Sequence, residues 1–155
     1  MEDDIRELYQ EVILDHGKNP RNFRHPEDAT CEANGNNPLC GDRLTVYLKL
    51  NGENLIEDAA FEGRGCAISV ASASMMTDIV RGKTASAAES LFDIFHKMCM
   101  GEDTGETPDE FTDDLDKLTV LSGVKQFPMR VKCATLAWHT MRSALQGDDA
   151  PVTTE

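Results

Sequence analysis

Cys40, Cys66 and Cys133 each stand where one expected element ends and another begins. Cys40 lies in the turn Pro38-Leu39-Cys40-Gly41-Asp42 before a strand, Cys66 follows Gly63-Arg64-Gly65 and opens a helix, and Cys133 falls near the start of the last helix. Functional groups concentrate at loop ends on a rigid scaffold. A helix N-terminus also favours the thiolate, the form that binds metal or attacks sulfur. Asp42 stands two residues after Cys40, and Gly41 gives the chain room to bend. A thiolate and a carboxylate so placed can converge on one ion, and zinc accepts both in a tetrahedral shell. The three cysteines lack the close C-x-x-C pairing of zinc fingers. By spacing alone, a metal site and a set of scattered buried cysteines both stand as readings.

The other candidates carry less chemistry. The chain has five cysteines, an odd count that excludes a fully paired disulfide framework. Cys99 falls on an apolar helical stripe and reads as a small core hydrophobe; Cys31 also reads as structural. His16, His25, His96 and His139 are scattered, with none paired at ligand spacing, and read as surface or packing residues. His16 ends the first helix, where a partly charged imidazole suits the dipole. The sequence shows no Ser-His-Asp arrangement and no dinucleotide fingerprint; Gly63-Arg64-Gly65 lacks the spacing.

The elements that must position these groups follow from periodicity. Ile5, Leu8, Tyr9, Val12 and Ile13 repeat with helical spacing, with Asp3 or Asp4 as cap and Gly17 as stop. A loop follows through Lys18-Asn19-Pro20-Arg21-Asn22, and a short strand is expected around Cys31. Leu44, Val46, Leu48 and Leu50 alternate with polar residues as a half-buried strand; Asn51-Gly52 turns it into a second arm, 55–61. Three apolar stripes then mark helices: Ile68, Ala71, Met75, Met76 and Ile79; Leu91, Phe92, Phe95, Met98 and Cys99; and Val131, Ala134, Trp138, Met141 and Leu145. Gly82 stops the first of these, and Pro128 starts the last. A short helix is expected around Leu115, Leu118 and Leu121. Half of the residues in 101–114 are acidic and the segment has no periodicity, so it reads as a solvated, mobile insertion. Strands grouped together and helices grouped together predict an α+β domain over 1–146, with a small antiparallel sheet of about three strands covered by helices. Residues 147–155 read as a frayed tail.

Composition narrows the function. Apolar residues make up 40% of the 155, as in a globular chain. Asp and Glu outnumber Lys and Arg by 28 to 15, a formal charge of −13. Such a surface repels nucleic acid and anionic lipid, and either attracts cations and basic proteins or only maintains solubility. No stretch approaches a membrane span, and the acidic start Met1-Glu2-Asp3-Asp4 is unlike a secretory signal. The expected location is the cytoplasm, where thiols stay reduced.

Several separated motifs together resemble the NifU/IscU-like family of iron–sulfur cluster assembly proteins. They are Leu8-Tyr9-Gln10-Glu11-Val12-Ile13-Leu14-Asp15-His16, Asn19-Pro20-Arg21-Asn22, the turn Asn37-Pro38-Leu39-Cys40-Gly41-Asp42, Gly63-Arg64-Gly65-Cys66-Ala67-Ile68-Ser69 with the helix to Met76, and Arg130-Val131-Lys132-Cys133-Ala134-Thr135-Leu136-Ala137-Trp138. The resemblance spans roughly Ile5 to Leu145 and keeps three cysteines in order. The IscU branch carries a metal-ligating His immediately before its third cysteine. Here that position is Lys132, whose ammonium has no lone pair to give. Together with the acidic insertion, this makes the chain similar to the SufU branch.

That resemblance implies a zinc ion held by Cys40, Asp42, Cys66 and Cys133. It implies a pyridoxal-phosphate cysteine desulfurase, SufS-like, as partner. The implied activity is zinc-dependent sulfurtransfer: the partner contributes a histidine to the metal, and the released Cys40 attacks the partner's persulfide. The alternative is a scaffold on which a transient iron–sulfur cluster is built on the same cysteines. A third reading, a zinc-stabilised adaptor, fits poorly, because closed structural sites normally use four Cys or His ligands.

Overall fold

A computed structural model describes residues 2–147 and 151–153, with side chains from residue 10 onward. The order is α1 (Glu2–Lys18), β1 (Cys31–Asn37), β2 (Asp42–Leu50), β3 (Ile56–Arg64), α2 (Ala67–Val80), α3 (Ala85–Met100), α4 (Thr112–Leu118), α5 (Pro128–Gln146) and β4 (Val152–Thr153). Short 3-10 segments precede and follow α4, at Asp109–Phe111 and Thr119–Gln126. The fold is α+β, as expected.

The sheet runs in the order β3-β2-β1-β4. The first three strands are antiparallel, and β4 lies parallel to β1, with Gly35 opposite Val152. The fourth strand corrects the expected count of about three. It also gives Val152 and Thr153 a place on the sheet instead of in a frayed tail; residues 148–150, 154 and 155 lie outside the described ones. The alternation in β2 buries Leu44, Val46 and Leu48 on the helical side. Tyr47 points the other way, yet it is also covered, because His25 stacks on its ring at 4.2 Å.

Helix α5 packs against β1 and β2 on one side and against α2 and α3 on another. It therefore buries more than the predicted stripe: Cys133, Leu136 and Ala137 are covered along with Val131, Ala134, Trp138 and Met141. The small residues of α2 permit this approach. Ser72 Oγ donates to the Ala134 carbonyl and accepts from Trp138 Nε1, so a buried hydroxyl ties two helices without an orphaned group. Thr84 caps α3 by accepting the Ala87 N–H. Helix α1 begins at Glu2, so Asp3 and Asp4 stand inside its first turn instead of capping it. The side chains of Ile5, Leu8 and Tyr9 lie outside the described ones; Ile13 packs on the core.

Segment 101–114 is less detached than its charge suggests. Phe111 is 2% exposed within the core, Thr112 to Asp114 open α4, and Asp114 pairs with Lys83 at 2.7 Å. The acidic composition hid one large apolar anchor, which holds the segment's second half. Among the described residues, no helix is long and apolar enough to cross a membrane.

Candidate metal centre

The hairpin between β1 and β2 carries Cys40 at its tip and Asp42 at its base. Gly41 takes a φ of 72° to make the turn, and the Cys40 N–H donates to the Asn37 carbonyl at 3.2 Å. Helix α5 arrives from behind with Cys133 near its start. Ligand atoms of Cys40, Asp42 and Cys133 all lie within 4.8 Å of one another, and the two sulfurs are 3.3 Å apart. Asp42 and Cys133 are fully buried, whereas Cys40 is half-buried.

Cys66 stands beside this trio. Its backbone N–H donates to Asp42 Oδ1 at 2.8 Å, so the start of α2 seats the carboxylate. Its Sγ serves as the N-cap of α2, accepting the Ser69 N–H at 3.4 Å, and is not part of the trio. Of the four residues expected as ligands, three are brought together, and the fourth stands beside them, its backbone N–H on Asp42 and its side chain near Cys133.

The donor set suits a thiophilic divalent cation. Burial, then the neighbouring Cys40, Cys66 and Asp42, push the Cys133 thiol far above its ordinary range. Those neighbours are thiols and a carboxylate, so only a cation or a proton relieves them. A divalent ion reverses this by displacing the proton. Only two buried side-chain polar atoms among the described residues lack a partner, Asn37 Oδ1 and Ser69 Oγ, and both belong to residues that touch this cluster. Zinc, with its tolerance for mixed sulfur and oxygen ligands, fits these residues.

Two neighbours escaped the sequence reading. The guanidinium of Arg130 bonds to Cys133 and feels the charge of Cys66 and Cys40, which raises its pKa further. Asn37 lies under the trio, 3.5 Å from both Asp42 Oδ2 and Cys133 Sγ. Arg130 lies one helical turn before Cys133, a spacing that marks it as a neighbour once α5 is recognised. Asn37 carried no signal beyond its place in the motif.

The remaining candidates lie elsewhere. Cys99 is buried in the core with its thiol pushed up to about 12, and Cys31 is half-buried on β1. His16 corrects the expectation of a partly charged imidazole: burial lowers its pKa, and its Nδ1 lies 2.8 Å from Ser74 Oγ. Ser74 also accepts the Arg21 N–H at 2.8 Å, so Asn19-Pro20-Arg21-Asn22 docks a loop onto α2. His96 and His139 meet edge to face at 5.4 Å, a pairing their sequence separation concealed. They line a cavity of about 440 Å³ with Lys125 and Thr135, and neither joins the trio of Cys40, Asp42 and Cys133.

A helix-covered antiparallel sheet presenting cysteines and an aspartate from a hairpin, a helix start and a facing helix defines a small metal- and sulfur-handling domain. The family model described as NifU-like N terminal domain matches residues 8–134, and the chain belongs to that family. It is 43% identical over 142 residues to the zinc-dependent sulfurtransferase SufU of Bacillus subtilis (strain 168), covering 92% of both chains. It is 42% identical over 142 residues to the iron–sulfur cluster assembly scaffold protein IscU of Streptococcus pyogenes serotype M1, covering 92% of this chain and 85% of that one. The crystal structure of FiSufU from Fervidobacterium islandicum AW-1 superposes with a TM-score of 0.78 at 36% identity, covering 90% of this chain and 98% of that one.

Proposed function

We propose that this chain is a zinc-dependent sulfur acceptor for iron–sulfur cluster assembly, taking persulfide sulfur from a cysteine desulfurase of the SufS kind at Cys40. Asp42, Cys66 and Cys133, with Cys40, would hold the zinc. The metal, when bound, would keep these thiols deprotonated and temper their reactivity.

One observation carries the assignment: among the clustered groups, Cys40 is half-buried at the tip of a Gly-containing turn, whereas Asp42 and Cys133 are sealed in the core. Cys40 is the member that can meet an incoming donor while the others stay. Its thiolate attacks the outer sulfur of the donor's persulfide. A new S–S bond forms at Cys40, the donor's S–S bond breaks, and the donor's thiolate leaves with the electron pair, so no external oxidant is needed. Leu39 beside it and Phe127 and Met129 at the start of α5 are exposed apolar side chains, an apolar rim suited to a protein donor. Lys132 before Cys133 offers no lone pair, which favours transfer over the scaffold alternative.

The test mixes the protein with desulfurase and cysteine. Mass spectrometry after brief reaction should place one added sulfur on Cys40, and desulfurase turnover should rise. Cys40→Ser should abolish both effects and Cys31→Ser neither. An unmodified Cys40 and flat turnover, with iron and sulfide forming a stable cluster on the same cysteines, would establish the scaffold function instead.

A further inference from the structure

Asn37 ends β1 and stands opposite Asp42, which opens β2, in the antiparallel register. Both side chains have no exposure. Two buried polar side chains closing a hairpin are costly unless each finds a partner. Asn37 Nδ2 is 3.5 Å from Asp42 Oδ2 and 3.5 Å from Cys133 Sγ. Turning the amide over would set an acceptor against a carboxylate and a sulfur, so the donor end is the one that faces the cluster. The strand reaches this depth because Gly35 has no side chain: a β-carbon there would overlap Thr140 Oγ1 and lie 3.1 Å from Leu136 Cδ1, both on the helix that carries Cys133.

We propose that Asn37 is a positioning residue of the metal centre, its amide donor bridging the Asp42 carboxylate and the Cys133 sulfur so that both face one ion. The inference rests on the zinc reading above. Asp42 is then held from two sides, by the Cys66 N–H on Oδ1 and by Asn37 on Oδ2. Donation to the Asp42 carboxylate is charge-assisted, and donation to the Cys133 sulfur becomes so once a cation has displaced its proton. Outer partners that orient metal ligands change metal affinity by roughly 10–100-fold.

The experiment measures zinc affinity by competition with a chromophoric chelator, on protein whose metal-free fold is checked by circular dichroism. Asn37→Leu and Asn37→Asp remove the donor at nearly constant volume, and each should weaken zinc by about tenfold or more. In cobalt-loaded protein the sulfur-to-cobalt charge-transfer band should persist while the ligand-field bands shift, a change that a loss of fold stability alone would not produce. Because Asn37 acts partly through Asp42, combining Asn37→Leu with Asp42→Ala should lose much less affinity than the product of the single losses. Wild-type affinity in both Asn37 variants, or full multiplication with Asp42→Ala, overturns the role. If Asn37→Leu does not fold, Asn37→Asp decides alone, and retained or tighter binding there counts against the role. Failure of the unaltered chain to take up zinc would defeat the metal reading itself, whereas normal uptake with indifferent variants defeats only the role of Asn37.

Discussion

Gly65 lies directly against the Asp42 carboxylate: a β-carbon at position 65 would overlap Oδ1 and stand 3.0 Å from the carboxyl carbon. The residue before Cys66 is thus bare because Asp42 occupies the space, and the same approach lets the Cys66 N–H reach Oδ1 at 2.8 Å. Gly65→Ala should displace the carboxylate while leaving the distant core intact. We expect zinc affinity to fall by about tenfold or more, as for other losses of ligand orientation, with little change in the circular dichroism spectrum. Unchanged affinity on chelator competition would show that Asp42 is free to move.

Purified protein should carry about one zinc per chain, with X-ray absorption giving sulfur distances near ~2.3 Å and an oxygen distance near ~2.0 Å. Cys66→Ala and Cys133→Ala should each lose the metal. In metal-free protein, iodoacetamide should modify Cys40 first, because it sits half-exposed at the turn, and Cys99 last, because burial holds its thiol at about 12. Zinc should protect Cys40, Cys66 and Cys133 together. Protection of Cys31 instead, or retention of zinc by Cys66→Ala, would break the ligand set.

Phe111 is 2% exposed, although acidic residues surround it in sequence. Phe111→Ala should destabilise the fold by about 3–5 kcal/mol, the usual cost of emptying a buried aromatic site. Hydrogen exchange should divide the segment: rapid over 102–108, which has no regular structure, and slower from 111 through α4. Uniformly rapid exchange across 101–118 would contradict the anchor.

His139 is neutral in the fold, since burial first, then His96 and Arg142, lower its pKa from 6.5 to about 4. Above pH 6.5 the imidazole is neutral in both the folded and the unfolded chain and contributes no pH dependence. Between 6.5 and 4 the unfolded chain binds a proton that the folded chain refuses, so stability falls as pH drops through that window and levels off below it. Half-buried His16, also lowered, adds a loss of the same sign. Melting temperatures of metal-free protein at pH 7 and pH 4.5 should therefore differ less in His139→Gln than in the unaltered chain; an equal drop in both would exclude the assignment.

The sequence by itself determined the elements and the positions of the reactive groups along them. The stripes of α2, α3 and α5, the alternation of β2 and the placement of Cys40, Cys66 and Cys133 at element boundaries were all legible, because a helix or strand is specified by residues a few positions apart. The resemblance of the linked motifs supplied the expected ligand set, which spacing alone left open. Only the tertiary structure decided what stands beside what. It brought Cys133 to within 3.3 Å of Cys40, placed Asn37 beneath both Asp42 and Cys133, paired His96 with His139, set Phe111 into the core and added β4 to the edge of β1. The first two depend on how closely α5 lies on β1 and β2. That distance is set jointly by residues far apart in the chain, Gly35 against Leu136 and Thr140 among them, and no local pattern encodes it.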